Sequence, residues 1–445
     1  MKLRSIVATL AALAAPTLHA QTQLIQPPPP PLRLTIDDAI NRGLETSHRV
    51  AEVIARGQAA DAATGVHHAA MLPQVAAQAG YTRTNHVDEF GIPLPTNQLR
   101  VIYPDIPDNY RTRLDVQWPL YTGGRLDALE RAARIEATAS ADEVAAARAD
   151  LTLDITRAYW NLVTSTESLH VVEQAVARID AHLRDVRNQL TAGLIPPNDV
   201  LTVEAQQSRQ RMLAIQARAI VDVAEAELAK LVGAAPGTRV DPAVAIDVPA
   251  AESTPVDVLV DAARRQRPER AMLLKRVSAA NGRAAAAGAG SKPMIAVGGG
   301  VDYARPNPRI FPREGSWRSS WDASVNVNWP LFDGGRTGSE IVEAKATARA
   351  LQERLADFDA SLAVELRQRL NEVSSSRAAI DAATDAVRSA TEARRVLGER
   401  FAAGVATSTD VLDAQVALLQ AELDRTQAIA NARLADARLA HALGR

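Results

Sequence analysis

The chain has 445 residues, with 50 Lys and Arg against 52 Asp and Glu, a formal net charge of -2, and no cysteine. So even a charge balance leaves no basic footprint for nucleic acid. Without cysteine there can be no disulfide, no thiol catalysis, no thiolate metal site and no lipid anchor on an N-terminal cysteine.

Residues 1–20 read as a secretory signal peptide: Lys2 and Arg4 precede an apolar run from Ile6 to Ala15, and Ala20 marks the cut. Leu18 is large for its place three residues earlier, which leaves the cleavage point open. The run is too short for a membrane-spanning helix. Its removal takes away two positive charges and leaves a net charge of -4. No later stretch holds 18 consecutive apolar residues, so any insertion into a membrane must use strands. Residues 21–33, with five consecutive prolines from Pro27 to Pro31, form an extended Pro-rich leader.

A first structural repeat spans 34–233. A helical pattern opens at Leu34-Thr35-Ile36-Asp37-Asp38-Ala39-Ile40 and continues to about Met71, and Pro73 ends it. Val75 to Tyr81 alternates as a weak strand, and Asn85 to Tyr110, rich in Pro, Gly and Asn, reads as a surface loop. In Leu114-Asp115-Val116-Gln117-Trp118-Pro119-Leu120 apolar and polar residues alternate with the two-residue period of a strand. Gly123 and Gly124 follow as a strand-to-helix corner. From Arg125 to about Leu190 there is neither proline nor glycine, enough for a helix of roughly 100 Å. Its far half carries a coiled-coil seam of Leu169, Val172, Val176, Ile179, Leu183, Val186 and Leu190. A break around Gly193-Leu194 leads to a returning helix from Asn198 to Leu231.

A linker at 234–255, with four prolines, precedes a second structural repeat over 256–445. Trp118-Pro119-Leu120-Tyr121-Thr122-Gly123-Gly124-Arg125 returns as Trp329-Pro330-Leu331-Phe332-Asp333-Gly334-Gly335-Arg336, an offset of 211. The same offset carries Gly193 onto Gly404 and Asp199-Val200-Leu201 onto Asp410-Val411-Leu412. Ahead of the strands the offset is 220, taking Pro73 to Pro293, so the first copy carries nine extra residues between its strands. Ile295 to Tyr303 and Val325 to Leu331 are the second pair of strands, with the corner at Gly334 and Gly335. The seam continues as Ile380, Ala383, Val387, Ala390, Arg394, Leu397 and Phe401, and Asp410 is placed to cap the last helix.

Four strands cannot close a barrel alone, and a sheet spanning a bilayer must close. Two chains would supply about eight strands, with an interior filled by side chains, and three about twelve, wide enough for a pore. Polar residues at Asp115, Gln117, Asp322, Ser324, Asn326 and Asn328 on the inner face favour the pore, and Trp118, Tyr121, Trp321 and Trp329 are expected in an interfacial aromatic girdle. A soluble sandwich edge is the competing reading, but the chain offers no strands for a second sheet.

The paired corners, the opening Leu34-Thr35-Ile36 with Asp38-Ala39-Ile40, and the two tips followed by Asp-Val-Leu together resemble the TolC-like outer-membrane efflux family, over Leu34 to Arg445. The resemblance implies a mainly α fold with a small β part: a homotrimer with a shared twelve-stranded transmembrane β-barrel in the outer membrane and a coiled-coil α-barrel tunnel in the periplasm. It also implies docking to a periplasmic adaptor and an inner-membrane efflux pump in a tripartite efflux or type I secretion system. Gly193, Leu194, Gly404 and Val405 match the hairpin tips that meet the adaptor. Asp410, Asp413 and Asp199 match acidic positions at the narrow periplasmic entrance, although Asp199 and Asp410 are also natural helix-cap positions. Two positions depart from the family pattern. Phe401 stands where a tyrosine hydroxyl bonds across the closed entrance, and Ala406 where an arginine pairs with acid.

No catalytic, metal or cofactor-binding set is expected. His67 and His68 are adjacent and diverge on a helix, no nucleophile motif is present, and the glycines from Gly288 to Gly300 lead into a strand rather than a helix. The alternative to an exit duct is a non-conducting periplasmic coiled-coil scaffold or adhesin.

Overall fold

The computed structural model describes residues 31–96, 98–235, 237–244, 247 and 256–445. The signal peptide, most of the leader and part of the linker lie outside the described residues. Strand β1 (Leu32–Leu34) pairs in parallel with β6 (Val240–Pro242), so the segment entering the first repeat lies against the one leaving it.

The opening helical pattern is two helices, not one. In α1 (Ile36–Thr46) Thr35 and Asp38 form a reciprocal capping box, and Ser47 interrupts the chain in an extended conformation before α2 (His48–Ala69). The Ser47 hydroxyl accepts from the Val50 amide and starts the new helix. Position 267 repeats this break between α5 (Val256–Gln266) and α6 (Pro268–Gly288), where Pro268 occupies the first helical turn.

Helices α3 (Arg125–Thr191) and α7 (Arg336–Ala402) each run 67 residues, and their returns α4 (Pro197–Leu231) and α8 (Ser408–Ala442) each run 35. The long helices have different neighbours at their two ends. Nearer the sheet the layer is α2, α3, α6, α7, and toward the tips it is α4, α3, α8, α7. The seam side chains Val172, Ile179, Leu183, Val186, Ile380 and Phe401 are buried between them. Seam burial, rather than helix propensity, holds such long helices in place.

The middle of the molecule carries the main core, in which Leu34, Ala39, Ile155, Tyr159, Leu162 and Leu228 pack together. Tyr159 donates its hydroxyl to the Leu34 carbonyl at 3.2 Å, joining α3 to the β1 strand. Each fully buried aliphatic side chain here contributes about 1.5–3 kcal/mol. Gly43 is required by that core, because a Cβ there would lie 2.4 Å from Ile155 Cδ1 and 3.0 Å from the Leu231 carbonyl oxygen. Gly43→Ala is therefore expected to lose about 1–3 kcal/mol to overpacking, more than the roughly 1 kcal/mol gained in helix propensity. Gly57→Ala, with only an ordinary contact to Ser140 at 3.5 Å, is expected to gain. Denaturant midpoints of the two variants check this opposition of sign.

The sheet is antiparallel in the order β2 (Gln74–Arg83), β5 (Asp108–Tyr121), β7 (Met294–Arg305), β8 (Arg318–Asn328). Gln74 faces Gln117 and Met294 faces Asn328, so the hairpins of the two copies share one register at offsets of 220 and 211. Two expectations need correction. The stretch 85–110 is not a plain loop: it holds a hairpin of β3 (Phe90–Pro93) and β4 (Leu99–Tyr103), and β5 already begins at Asp108. The second long strand ends at Asn328, leaving Trp329-Pro330-Leu331 outside it, whereas β5 reaches Tyr121 through a bulge after Pro119. Proline cannot donate to the ladder, so the continuation depends on that local bulge rather than on the repeated motif.

Candidate functional site

Alternation along four registered strands divides the sheet into two chemically opposed faces. Val75, Tyr81, Leu114, Val116, Val301 and Val325 share the apolar face and are exposed in the protomer. Gln78, Arg113, Asp115, Asp302, Asp322, Ser324 and Asn326 share the other.

Arg113 is the hub of the polar face. It donates to Asp115 at 2.5 Å, to Asp322 at 2.8 Å and 3.2 Å, and to Asp302. Arg111 completes Asp302, and Arg309 lies 3.3 Å from Asp322. Three guanidiniums thus meet three carboxylates. The side chains of Arg113 and Asp302 are only 16% and 4% exposed, so the charges are paired with little water between them. The hub needs Gly300, because a Cβ there would sit 2.7 Å from Arg113 Nη2. Sequence reading found Asp115 and Asp322 by alternation but not Arg113, Asp302 or Arg309, which only the cross-strand register brings together.

The aromatic side chains lie at two levels, not in one ring. Trp118, Tyr121 and Trp329 are at the corner end of the sheet, whereas Trp321 is three residues from the loop end of β8, opposite Val301. At the loop end Tyr81, Tyr110, Trp317 and Tyr303 form a chain of rings with centroids 5.0, 5.9 and 5.0 Å apart. Tyr110 and Trp118 are eight residues apart on β5, about 26 Å along a strand, or roughly 20 Å of height at the tilt of membrane-barrel strands, within an apolar band of roughly 25 Å. The outer group was missed because strand order, and with it ring adjacency, is not readable from spacing alone.

Both corner tryptophans are tied down in the same way. Trp118 Nε1 donates to the Met71 carbonyl and Trp329 Nε1 to the Ser291 carbonyl, each at 3.1 Å. Gly124 and Gly335 adopt φ of 85° and 88° just before the long helices, a conformation costly for other residues. Gly123, with φ of 66°, also passes within contact of Lys292, whose Nζ donates to its carbonyl. Gly334 has the same backbone with nothing beside it. Trp118→Phe and Trp329→Phe are each expected to lose about 1 kcal/mol, the worth of one hydrogen bond, read as lowered midpoints in thermal unfolding.

At the other end of the molecule the hairpin tips end in matching turns. Gly193 and Gly404 take φ of 74° and 73°, and the amides of Leu194 and Val405 reach back to the carbonyls of Gln189 and Arg400, which is the Schellman pattern. Leu194 and Val405, at the two tips, are 73% and 63% exposed. Asp410 is the third residue of a capping box rather than the cap itself, its carboxylate accepting from the Thr407 amide and hydroxyl. Those bonds hold its carboxyl below the usual carboxylate range. Asp199 sits at the corresponding place in α4 but makes no capping bond there. Asp413 lies one turn beyond Asp410 and is exposed.

Phe401 is buried with Ile179, Leu183 and Val411, and Ala406 packs against the same cluster. The ring of His182 meets Phe401 edge-on with centroids 5.1 Å apart, and its Nε2 is 2.9 Å from Ser408 Oγ. This contact joins the first hairpin to the second. His182 follows the seam residue Ile179 by three positions, a spacing that could have revealed it.

Among the described residues Asp150, Glu269 and His441 come close enough to hold a cation. Arg267 already occupies both Glu269 oxygens, and His441 is bonded to Asp150 at 2.8 Å. His67 and His68 take no part in the cluster.

Residues 39–234 and 259–445 match the family model described as outer membrane efflux protein. Among curated relatives, Protein CyaE of Bordetella pertussis is 28% identical over 339 residues, covering 74% of this chain and 67% of that protein. The outer membrane protein TolC of Vibrio cholerae is 24% identical over 415 residues, covering 91% and 89%. Among solved structures, the outer membrane protein VceC of Vibrio cholerae superposes with a TM-score of 0.76 at 21% identity, covering 92% and 96% of the two chains.

Proposed function

The chain belongs to the outer membrane efflux protein family, and from that premise we propose that three copies form an exit duct through the outer membrane, conducting passively from a periplasmic adaptor and inner-membrane pump to the exterior. The observation that carries this reading is the two-faced sheet with both edges open, continuous through glycine corners with 67-residue helices. A sheet with an apolar outer face and a polar inner one suits a bilayer on one side and water on the other. Open edges are unsatisfied in hydrocarbon, so neighbouring copies complete them. Exposed apolar side chains along α4, including Leu201, Ile215, Ile220 and Val223, give the helical part a face for the same neighbours.

In this reading the exposed tips at Leu194 and Val405 meet the adaptor, and Asp410, Asp413 and Asp199 bring rings of carboxylates to the periplasmic entrance. Such rings favour cations at a constriction. The test is reversal-potential measurement on protein reconstituted in planar bilayers. Asp410→Asn with Asp413→Ala, the asparagine keeping the capping acceptor, is expected to move the reversal potential toward that of an unselective pore. Conduction with an unchanged reversal potential would remove the gate assignment. A protein that never conducts would remove the duct.

A further inference from the structure

The internal duplication contains the joint between neighbouring copies. Inside one chain, the second strand of copy one, β5, pairs with the first strand of copy two, β7, with Arg113 opposite Asp302. If identical chains continue the same alternation, β8 of one protomer meets β2 of the next, and the β5 and β7 positions convert by the offsets 211 and 220. We infer that the barrel closes with Ser324 opposite Thr82 of the partner subunit, so that Val325 faces the partner's Tyr81 and Asn326 faces the partner's Gly80. The proposal rests on the shared-barrel reading and adds the register to it.

Three independent features fit this pairing. β2 and β8 are the two strands of this sheet with an unpaired edge, and both are exposed along nearly their whole length. On the outer face the register sets Val325 against Tyr81 and Val327 against Ala79, with Ala323 beside Arg83 nearer the loops, and a slip by one residue would mix the faces. The glycines also correspond. Gly300, which clears space for Arg113 at the internal joint, maps onto Gly80, beside which the single protomer has open space. Likewise Gly123 touches Lys292 within the chain, whereas Gly334 touches nothing and would meet Leu72 of the partner subunit, which is exposed in the protomer.

The two joints differ in chemistry. The internal ion pair between Arg113 and Asp302 becomes Ser324 against the partner's Thr82, two small hydroxyl side chains with no charge. At this position the subunit joint rests on backbone pairing and two hydroxyls rather than on charge.

A chain without cysteine suits a direct test. Full-length protein in membranes, carrying Ser324→Cys together with Thr82→Cys, is expected to form disulfide-linked oligomers on mild oxidation. Ser324→Cys with Gly80→Cys, or with Thr84→Cys, places the thiols on a diagonal and is expected to react roughly tenfold more slowly. Each variant is also assayed for conductance. Fastest linkage at position 80 or 84 in a conducting protein would overturn the register and leave the duct intact. No linkage in any pair, with conductance retained, would overturn pairing of these edges. Loss of both linkage and conductance in all three would instead count against the shared barrel on which the register rests.

Discussion

Arg113→Met is expected to lower the stability of the protein, because it removes the shared partner from a part-buried cluster of ion pairs. Arg113 holds three carboxylates at once, and the remaining arginines cannot replace it. Arg111 still reaches Asp302 and Arg309 still reaches Asp322, but Asp115 loses the only partner it has in the cluster. The cluster changes from three charges of each sign to a surplus of one negative charge, hence three in the proposed trimer. In the reconstituted channel the reversal potential is expected to shift toward cation selectivity. Adding Asp115→Asn removes the surplus, and both the stability and the reversal potential should return toward the starting values. A single variant with unchanged unfolding midpoint and unchanged selectivity would show that the network neither braces the sheet nor faces the pore.

Acidification is expected to loosen the contact between the two hairpins, and His182 is the group responsible. Burial lowers its pKa below the ordinary 6.5, against an opposing pull from Asp185. Facing it are Ser408 and Gln415 from α8, Phe401 and Arg394 from α7, and Asp185 and Arg178 from its own helix. A histidine whose folded pKa is depressed binds fewer protons folded than unfolded between the two values, so stability rises with pH there. Its contribution is complete above 6.5 and is lost as pH falls from 6.5 toward the folded pKa. The cost is that of placing a charge on an imidazole buried between the hairpins, which the bond to Ser408 and the pull of Asp185 only partly offset. Hydrogen exchange at the first turn of α8 should accelerate between pH 7.5 and 5.5, after correction for the intrinsic rate. His182→Phe should abolish the extra acceleration. Equal corrected acceleration in both proteins would assign the effect elsewhere.

Much of this architecture was legible because duplication allows one copy to check the other. The corner motif recurs at a fixed offset, and an unbroken run without proline or glycine leaves little besides a long helix. What escaped was either local or non-local in a way that periodicity does not capture. The break at Ser47 looks like helix in the first copy and is visible only as Pro268 in the second. The hairpin formed by β3 and β4 lies in the nine-residue-longer loop, where no second copy exists for comparison. The charge hub could not be read at all from spacing, since Arg113 and Asp322 are 209 residues apart and meet only through strand register. The separation of Trp321 from Trp329 is not legible in spacing either, because it depends on where β8 begins and ends: Trp321 lies near its loop end and Trp329 just past its corner end.

The mass of the conducting species tests the central claim most directly. Protein extracted from outer membranes in mild detergent, sized by light scattering and returned to planar bilayers, is expected to have three times the protomer mass and to open discrete conductance steps. A stable single-chain particle, or a trimer that stays electrically silent at every voltage, would contradict a pore built from shared strands.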